Sequence, residues 1–245
     1  MKKIQLSILA MLLLGAVACK KTNNSPSITA NVTTDEAADI AAGSLSRNSN
    51  GVASTSDDAT SDASTYVSAQ LACGTAKSDS ISRHNTVGPY AYSYNLKYNY
   101  VVNCNNNVLD NLSSSLVDSG YFSGPNLSST NSGSGIFTVA GLSPTATDFV
   151  INGEFKRSGS FQSKIDTSNH GNSKIDIVVT ALKVAKPART IASGSATISI
   201  TGDVPKKGTF SYTGTLVFNG DGTATLTING TVYTINLTTG TRIKV

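Results

Sequence analysis

Residues 90–104 read Tyr-Ala-Tyr-Ser-Tyr-Asn-Leu-Lys-Tyr-Asn-Tyr-Val-Val-Asn-Cys. Tyr90, Tyr92, Tyr94, Leu96, Tyr98, Tyr100, Val102 and Cys104 all fall on even positions, and the odd positions between them are mostly Ser, Asn and Lys. A strand sends alternate residues to opposite faces, so this segment has one aromatic face and one polar face. No helical period fits it. Five of the nine tyrosines lie here, which makes this the best-specified strand in the chain.

Weaker versions of the pattern follow. Residues 107–121 predict a strand or strand pair, and 134–140 a short strand. Residues 146–157 place Thr147, Phe149, Ile151 and Phe155 on one face, and 173–184 place Ile175, Ile177, Val179 and Ala181 on one face. Residues 191–201 carry Ala196, Ile198 and Ile200, and 209–218 carry Phe210, Tyr212, Leu216 and Phe218. The last two strands, 224–228 and 231–237, flank Asn229-Gly230. Asn-Gly between alternating hydrophobics is the strongest short hairpin signal. A two-residue turn there pairs Ile228 with Thr231, Leu226 with Tyr233 and Ala224 with Ile235. All six then share a mostly apolar face, and pattern and turn agree on one register.

Composition points the same way. Charged residues are 14%, Glu occurs only at 36 and 154, and Thr, Val, Ile and Tyr dominate the second half. The expected class is mainly β: an antiparallel meander of roughly eight to ten strands, forming a sandwich or a curled barrel-like sheet. One or two short helices should precede it. The first runs from Thr34, as N-cap, through Asp35, Glu36 and Ile40 to a stop at Gly43. A loop over 44–56 and a second helix over 57–72 follow, closed by Cys73-Gly74.

The N-terminus sets location. Lys2 and Lys3 precede a twelve-residue apolar run, Leu6 to Val17. A spanning helix needs ~20 apolar residues, so this reads as a cleaved signal, residues 1–18. Ala-Val-Ala-Cys at 16–19 resembles the lipobox of bacterial lipoproteins, which implies lipidation of Cys19. Two or more acyl chains give stable anchoring. Residues 19–32 then read as a flexible tether and 33–245 as a single β-rich domain. Setting Cys19 aside leaves Cys73 and Cys104, and an even pair in an exported chain is most simply a disulfide.

Cys19-Lys20-Lys21, the 35–45 helix, Ala72-Cys73-Gly74, the Tyr/Asn-rich strand ending at Cys104 and the closing hairpin resemble a family of uncharacterised Bacteroidota lipoproteins. The resemblance covers nearly the whole chain. It implies an outer-membrane lipoprotein, facing the periplasm or the cell surface, and brings no activity, cofactor or catalytic residue with it.

Functional residues are sparse. Once Lys2 and Lys3 leave with the signal, the +4 charge falls to +2, too little for a nucleic-acid surface. Two His and two Glu offer few acid–base candidates. Asn219-Gly220-Asp221-Gly222 lacks the ligand spacing of a calcium loop and reads as a hairpin turn. No catalytic residue, metal or cofactor is expected. Tyr90, Tyr92, Tyr94, Tyr98 and Tyr100 form either a ligand-facing platform or core, and core is expected because an alternating apolar face is ordinarily the buried one. The leading expectation is a membrane-anchored, non-enzymatic binding or structural module whose other partners are not indicated. The alternative is a carrier holding a small apolar or glycan ligand in a Tyr-lined sheet interior. A hydrolase is the least supported reading.

Overall fold

A computed structural model describes residues 32–245. The signal, Cys19 and all but the last residue of the expected tether lie outside that range. Val32 itself is packed into the core, and its carbonyl accepts a hydrogen bond from the Tyr212 hydroxyl.

Two helices come first, as expected. Helix α1 spans Thr34–Leu45. Its N-cap is Thr33 rather than Thr34: Thr33 Oγ1 accepts from the Glu36 amide (3.1 Å), and the Glu36 carboxylate accepts from the Thr33 amide (3.0 Å). This reciprocal box satisfies two free helix-end donors. Gly43 does not stop the helix. It sits under Phe122, where a Cβ would lie 2.5 Å from the ring. A one-turn 3-10 helix, Arg47–Ser49, and a left-handed Asn50 (φ 53°) lead into helix α2, Val52–Ser68. Helix α2 therefore starts inside the segment expected to be loop. Its hydroxyls bond back onto their own helix: Thr60 to Ser56, Ser64 to Thr60, Thr65 to Ser61 and Ser68 to Ser64. Such back-bonding lets Ser and Thr sit mid-helix although their propensity favours turns.

Eleven antiparallel strands follow in one sheet, each paired with its neighbours in the chain. They are β1 Ala76–Asn85, β2 Ala91–Asn105, β3 Val108–Ser123, β4 Leu127–Ala140, β5 Asp148–Ser163, β6 His170–Ala185, β7 Thr190–Val204, β8 Gly208–Phe218, β9 Thr223–Ile228, β10 Thr231–Asn236 and β11 Arg242–Lys244. Among the described residues β1 pairs only with β2 and β11 only with β10, so the sheet stays open. It is nonetheless concave toward the helices. The single turn 47–49 packs on β2 and β3, yet the amides of Arg47 and Asn48 bond to the carbonyls of Leu237 and Thr238 just beyond β10. In a flat sheet β3 and β10 would lie about 34 Å apart, seven strand spacings, beyond the reach of one turn.

Helix α1 fills the hollow and is buried on every side; Ala37, Ala38, Ala41 and Ala42 are fully enclosed. At the mouth Asp39 accepts two bonds from the Arg242 guanidinium (2.9 and 3.0 Å) and one from Asn126 (3.1 Å). That tie joins α1 to β11 and to the β3–β4 hairpin.

The expected registers hold where the sequence signal was strongest. Asn229 and Gly230 both have positive φ (48° and 76°), and Ile228–Thr231, Leu226–Tyr233 and Ala224–Ile235 are partners. Cys73 and Cys104 form a disulfide with Cα atoms 5.6 Å apart. Cys73 lies beyond the C-cap of α2, Ala69, rather than at the end of the helix. One face assignment changes: Ala181 is exposed at φ 48° in a bulge of β6, and Leu182 and Val184 take over the buried face. A bulge inserts one residue and so flips the alternation beyond it.

Candidate functional site

The inner face is the aromatic one. Tyr94, Tyr98 and Tyr100 are each 1% exposed, while Tyr92 and Tyr90, the latter just before β2, are half-buried. Tyr98 and Tyr100 stack with centroids 5.7 Å apart, and Tyr66 of α2 meets Tyr100 edge-on at 5.8 Å. The Tyr98 hydroxyl donates to Asp58 of α2, which also holds the Arg83 guanidinium. Burial, reinforced by the nearby carboxylates of Asp58 and Asp62, pushes both hydroxyls of this stacked pair far above the ordinary tyrosine range. The helices thus occupy the space in front of the tyrosines.

Beneath them runs a buried polar network that breaks the apolar alternation of β3 and β5. Arg157 is 4% exposed; its Nη1 donates to the Gly43 carbonyl (2.8 Å) and its Nη2 to the Asn50 carbonyl (2.7 Å), while the guanidinium lies over the Tyr94 and Phe155 rings. A cation here meets the carbonyl end of α1, where it is favoured. Asn50 donates to Asp118 (3.3 Å) and accepts from Arg83 (3.0 Å). Burial raises the pKa of Asp118 above the ordinary carboxylate value, although the nearby Arg157 charge opposes this. The hydrogen bonds of this network run between the sheet and the helical segment, so they seat the helix elbow.

The outer face is different in kind. The register aligns Asn99, Ser115, Ile136, Glu154, Val178, Thr197, Thr215 and Thr227 in one row from β2 to β9. Lys97, Val117, Ser134, Lys156, Asp176, Ser199 and Thr213 form the adjacent row. Spacing is about 4.8 Å between strands and about 7 Å along them. Three shallow depressions lie end to end over these rows. One of about 330 Å³ covers β2–β5, one of about 610 Å³ covers β4–β7, and one of about 580 Å³ covers β6–β9. Neighbouring depressions share Ser134 and Lys156 at one junction and Asp176 and Ser199 at the other, so together they make a continuous trough across the strands.

At its centre Lys156 Nζ lies 2.7 Å from Glu154 Oε2 and 3.8 Å from Asp176 Oδ2. The hydrogen bond to Lys156 lowers the pKa of Glu154, whereas burial and then the Glu154 charge raise that of Asp176. Asp176 turns Oδ1 away from solvent, while its side chain as a whole is 40% exposed. The Val117, Ile136 and Val178 side chains stand exposed among the hydroxyls.

Apolar periodicity marks only the buried face of each strand and leaves this surface without an apolar signal of its own. Its signal was the run of Ser, Thr and Asn at the opposite positions. Asn219-Gly220-Asp221-Gly222 is a turn in which Asp221 caps Thr223. Both His84 and His170 are exposed. Among the described residues no group of three or more His, Cys, Asp or Glu is placed to hold a metal, and no helix is long and apolar enough to cross a membrane. Compared with known proteins, the chain matches no family model, no curated protein and no solved structure.

Proposed function

We propose that this chain is a non-enzymatic binding module of the Bacteroidota lipoprotein type. It is held on the outer membrane by lipid on Cys19, with the outer face of its sheet as the recognition surface. The observation that carries the reading is the trough: a long, open surface of balanced charge on the face that none of the other described residues covers. A ligand in the Tyr-lined interior would have to displace α1 and α2, and the polar network that seats them opposes that.

The test is photo-crosslinking on intact cells. A photoreactive residue replacing Ile136 in the trough should capture a discrete envelope component. The same residue replacing Val87, exposed in the β1–β2 loop, should not. Equal capture at both sites, or none at Ile136, defeats the reading. Cys19→Ser should leave the protein uncut or released from membranes; if it is cleaved and still membrane-bound, the lipid anchor is wrong.

A further inference from the structure

We infer that the trough is a subsite array for a linear, uncharged polysaccharide lying across strands β2–β9; this rests on the outer face being the recognition surface. The first argument is shape. Seven strand spacings give a run of about 34 Å, so the occupant is elongated, and a compact metabolite would fill only a fraction of it. The second is chemistry. Hydroxyl side chains both donate and accept, and at least one stands on every strand of the trough except β2, where Asn99 does the same work, and β6, where Lys174 donates and Asp176 accepts. Sugar hydroxyls have the same dual character and recur along a chain at a fixed pitch. Val117, Ile136 and Val178 supply apolar ground for the C–H faces of sugar rings.

Other polymers fit less well. Peptides recognised by sheets add to an edge and draw on free backbone groups. Here the face is the middle of the ladder, where the backbone groups pair strand to strand. Nucleic acid requires an excess of cations along its phosphates. The charged side chains in the trough are Lys156 and Lys174 against Glu154 and Asp176, a balanced set. Asp176 carries the most specific signal. It lies at the junction of the central and C-terminal depressions, beside Lys156 and with its side chain 40% exposed. The exposed part of its carboxylate is an acceptor that a sugar hydroxyl can meet.

The experiment uses the full-length lipoprotein in detergent and calorimetric titration with cello-, xylo-, manno-, chito- and maltohexaose. At least one hexasaccharide should bind, at least tenfold more tightly than its own disaccharide, because the trough offers several contiguous subsites. Asp176→Ala and Ser199→Lys should each weaken that binding at least tenfold. Thr209→Lys, on the same face but outside the trough, should leave it unchanged, and far-UV circular dichroism should show all three folded. The inference is overturned if no hexasaccharide binds, if disaccharide and hexasaccharide bind alike, or if the trough variants bind like the parent. If crosslinks from Ile136 then identify a protein, the ligand class fails and the recognition face stands; if Ile136 captures nothing, both fail.

Discussion

Tyr233 and Val232 are chain neighbours on opposite faces of β10, and the fold predicts very different costs for truncating them. Tyr233 is fully buried, its ring lies beneath the Arg242 guanidinium (5.3 Å), and its hydroxyl donates to Asp35 Oδ1 at 2.6 Å. Val232 sits opposite Thr227 on the outer face and is half-exposed. Emptying an aromatic site in a close-packed core costs about 3–5 kcal/mol. The hydroxyl adds little to that, because Asp35 is partly exposed and regains water when its partner is lost. Tyr233→Ala should therefore destabilise by about 4 kcal/mol, near the middle of that range. Tyr233→Phe, which keeps the ring and loses one hydrogen bond, should cost about 1 kcal/mol. Val232→Ala removes half-exposed surface and should cost under about 1 kcal/mol. Urea unfolding of the three variants at neutral pH, followed by circular dichroism, gives the ranking. Equal losses for Tyr233→Ala and Val232→Ala would refute the face assignment and, with it, the claim that the outer face is free.

Replacing Cys73 and Cys104 by Ser opens a loop between residues 31 apart in sequence; the chain-entropy model puts the loss at about 3–4 kcal/mol, read as a lower urea midpoint. The bond closes a loop containing edge strand β1, so hydrogen exchange should accelerate first at residues 76–85. Arg157→Met leaves the Gly43 and Asn50 carbonyls and Asp118 without their cation and should cost about 3–5 kcal/mol, whereas Lys156→Met on the exposed opposite face should change stability by under about 1 kcal/mol. Alkaline pH should destabilise the fold: Tyr98, Tyr100 and Tyr233 have folded pKa values raised above their ordinary 10.0, so their stabilising share is complete below that pH. It is lost as the unfolded chain ionises above it, and a pH titration of thermal midpoints should fall beyond pH 10 and less steeply in Tyr98→Phe.

What was legible in the sequence followed from how many independent signals coincided. At the closing hairpin, turn chemistry and alternation specified the same six partners, and all are found. In β2 eight even positions agreed, and those from Tyr94 to Val102 are buried. Strand β1 went unseen because it is an edge whose inward positions are Lys77, Asp79, Ile81 and Arg83; only one is apolar, and Arg83 is satisfied by Asp58, Asn50 and Ser54 of the helical segment. Strand β11 has only three residues and follows a Thr-Thr-Gly turn. The first turn of α2 looked like loop because its stability comes from packing of Val52 and Ala53 rather than propensity. The outer face could not be located as a site, because a trough exists only once register sets Ser134, Lys156, Asp176 and Ser199 side by side on four strands.

The two faces of this sheet divide the labour in a way that local pattern alone does not explain. A strand pattern requires only that one face be apolar, yet here the inward face also carries Asp118, Asn131 and Arg157, all buried. Charged groups in a core weaken it unless their partners are fixed, and replacing them by apolar residues is often neutral or stabilising. Asn131 bonds within the sheet, to Tyr94 and Ser129, but the partners of Arg157 and Asp118 are backbone carbonyls at the end of α1 and the left-handed Asn50 between the helices, groups that meet them only when the elbow docks. The network therefore selects one seating of the helices over the many that a smooth apolar hollow would accept. A fixed filling in turn fixes the curvature of the open sheet, since the same short segment touches β3 and the end of β10. The trough is the reverse side of that curvature. Its row spacing holds only while the helices keep their seat, so Arg157 on the inner face, paired with Ile175, and Asp176, the next residue along on the outer face, belong to one mechanical unit.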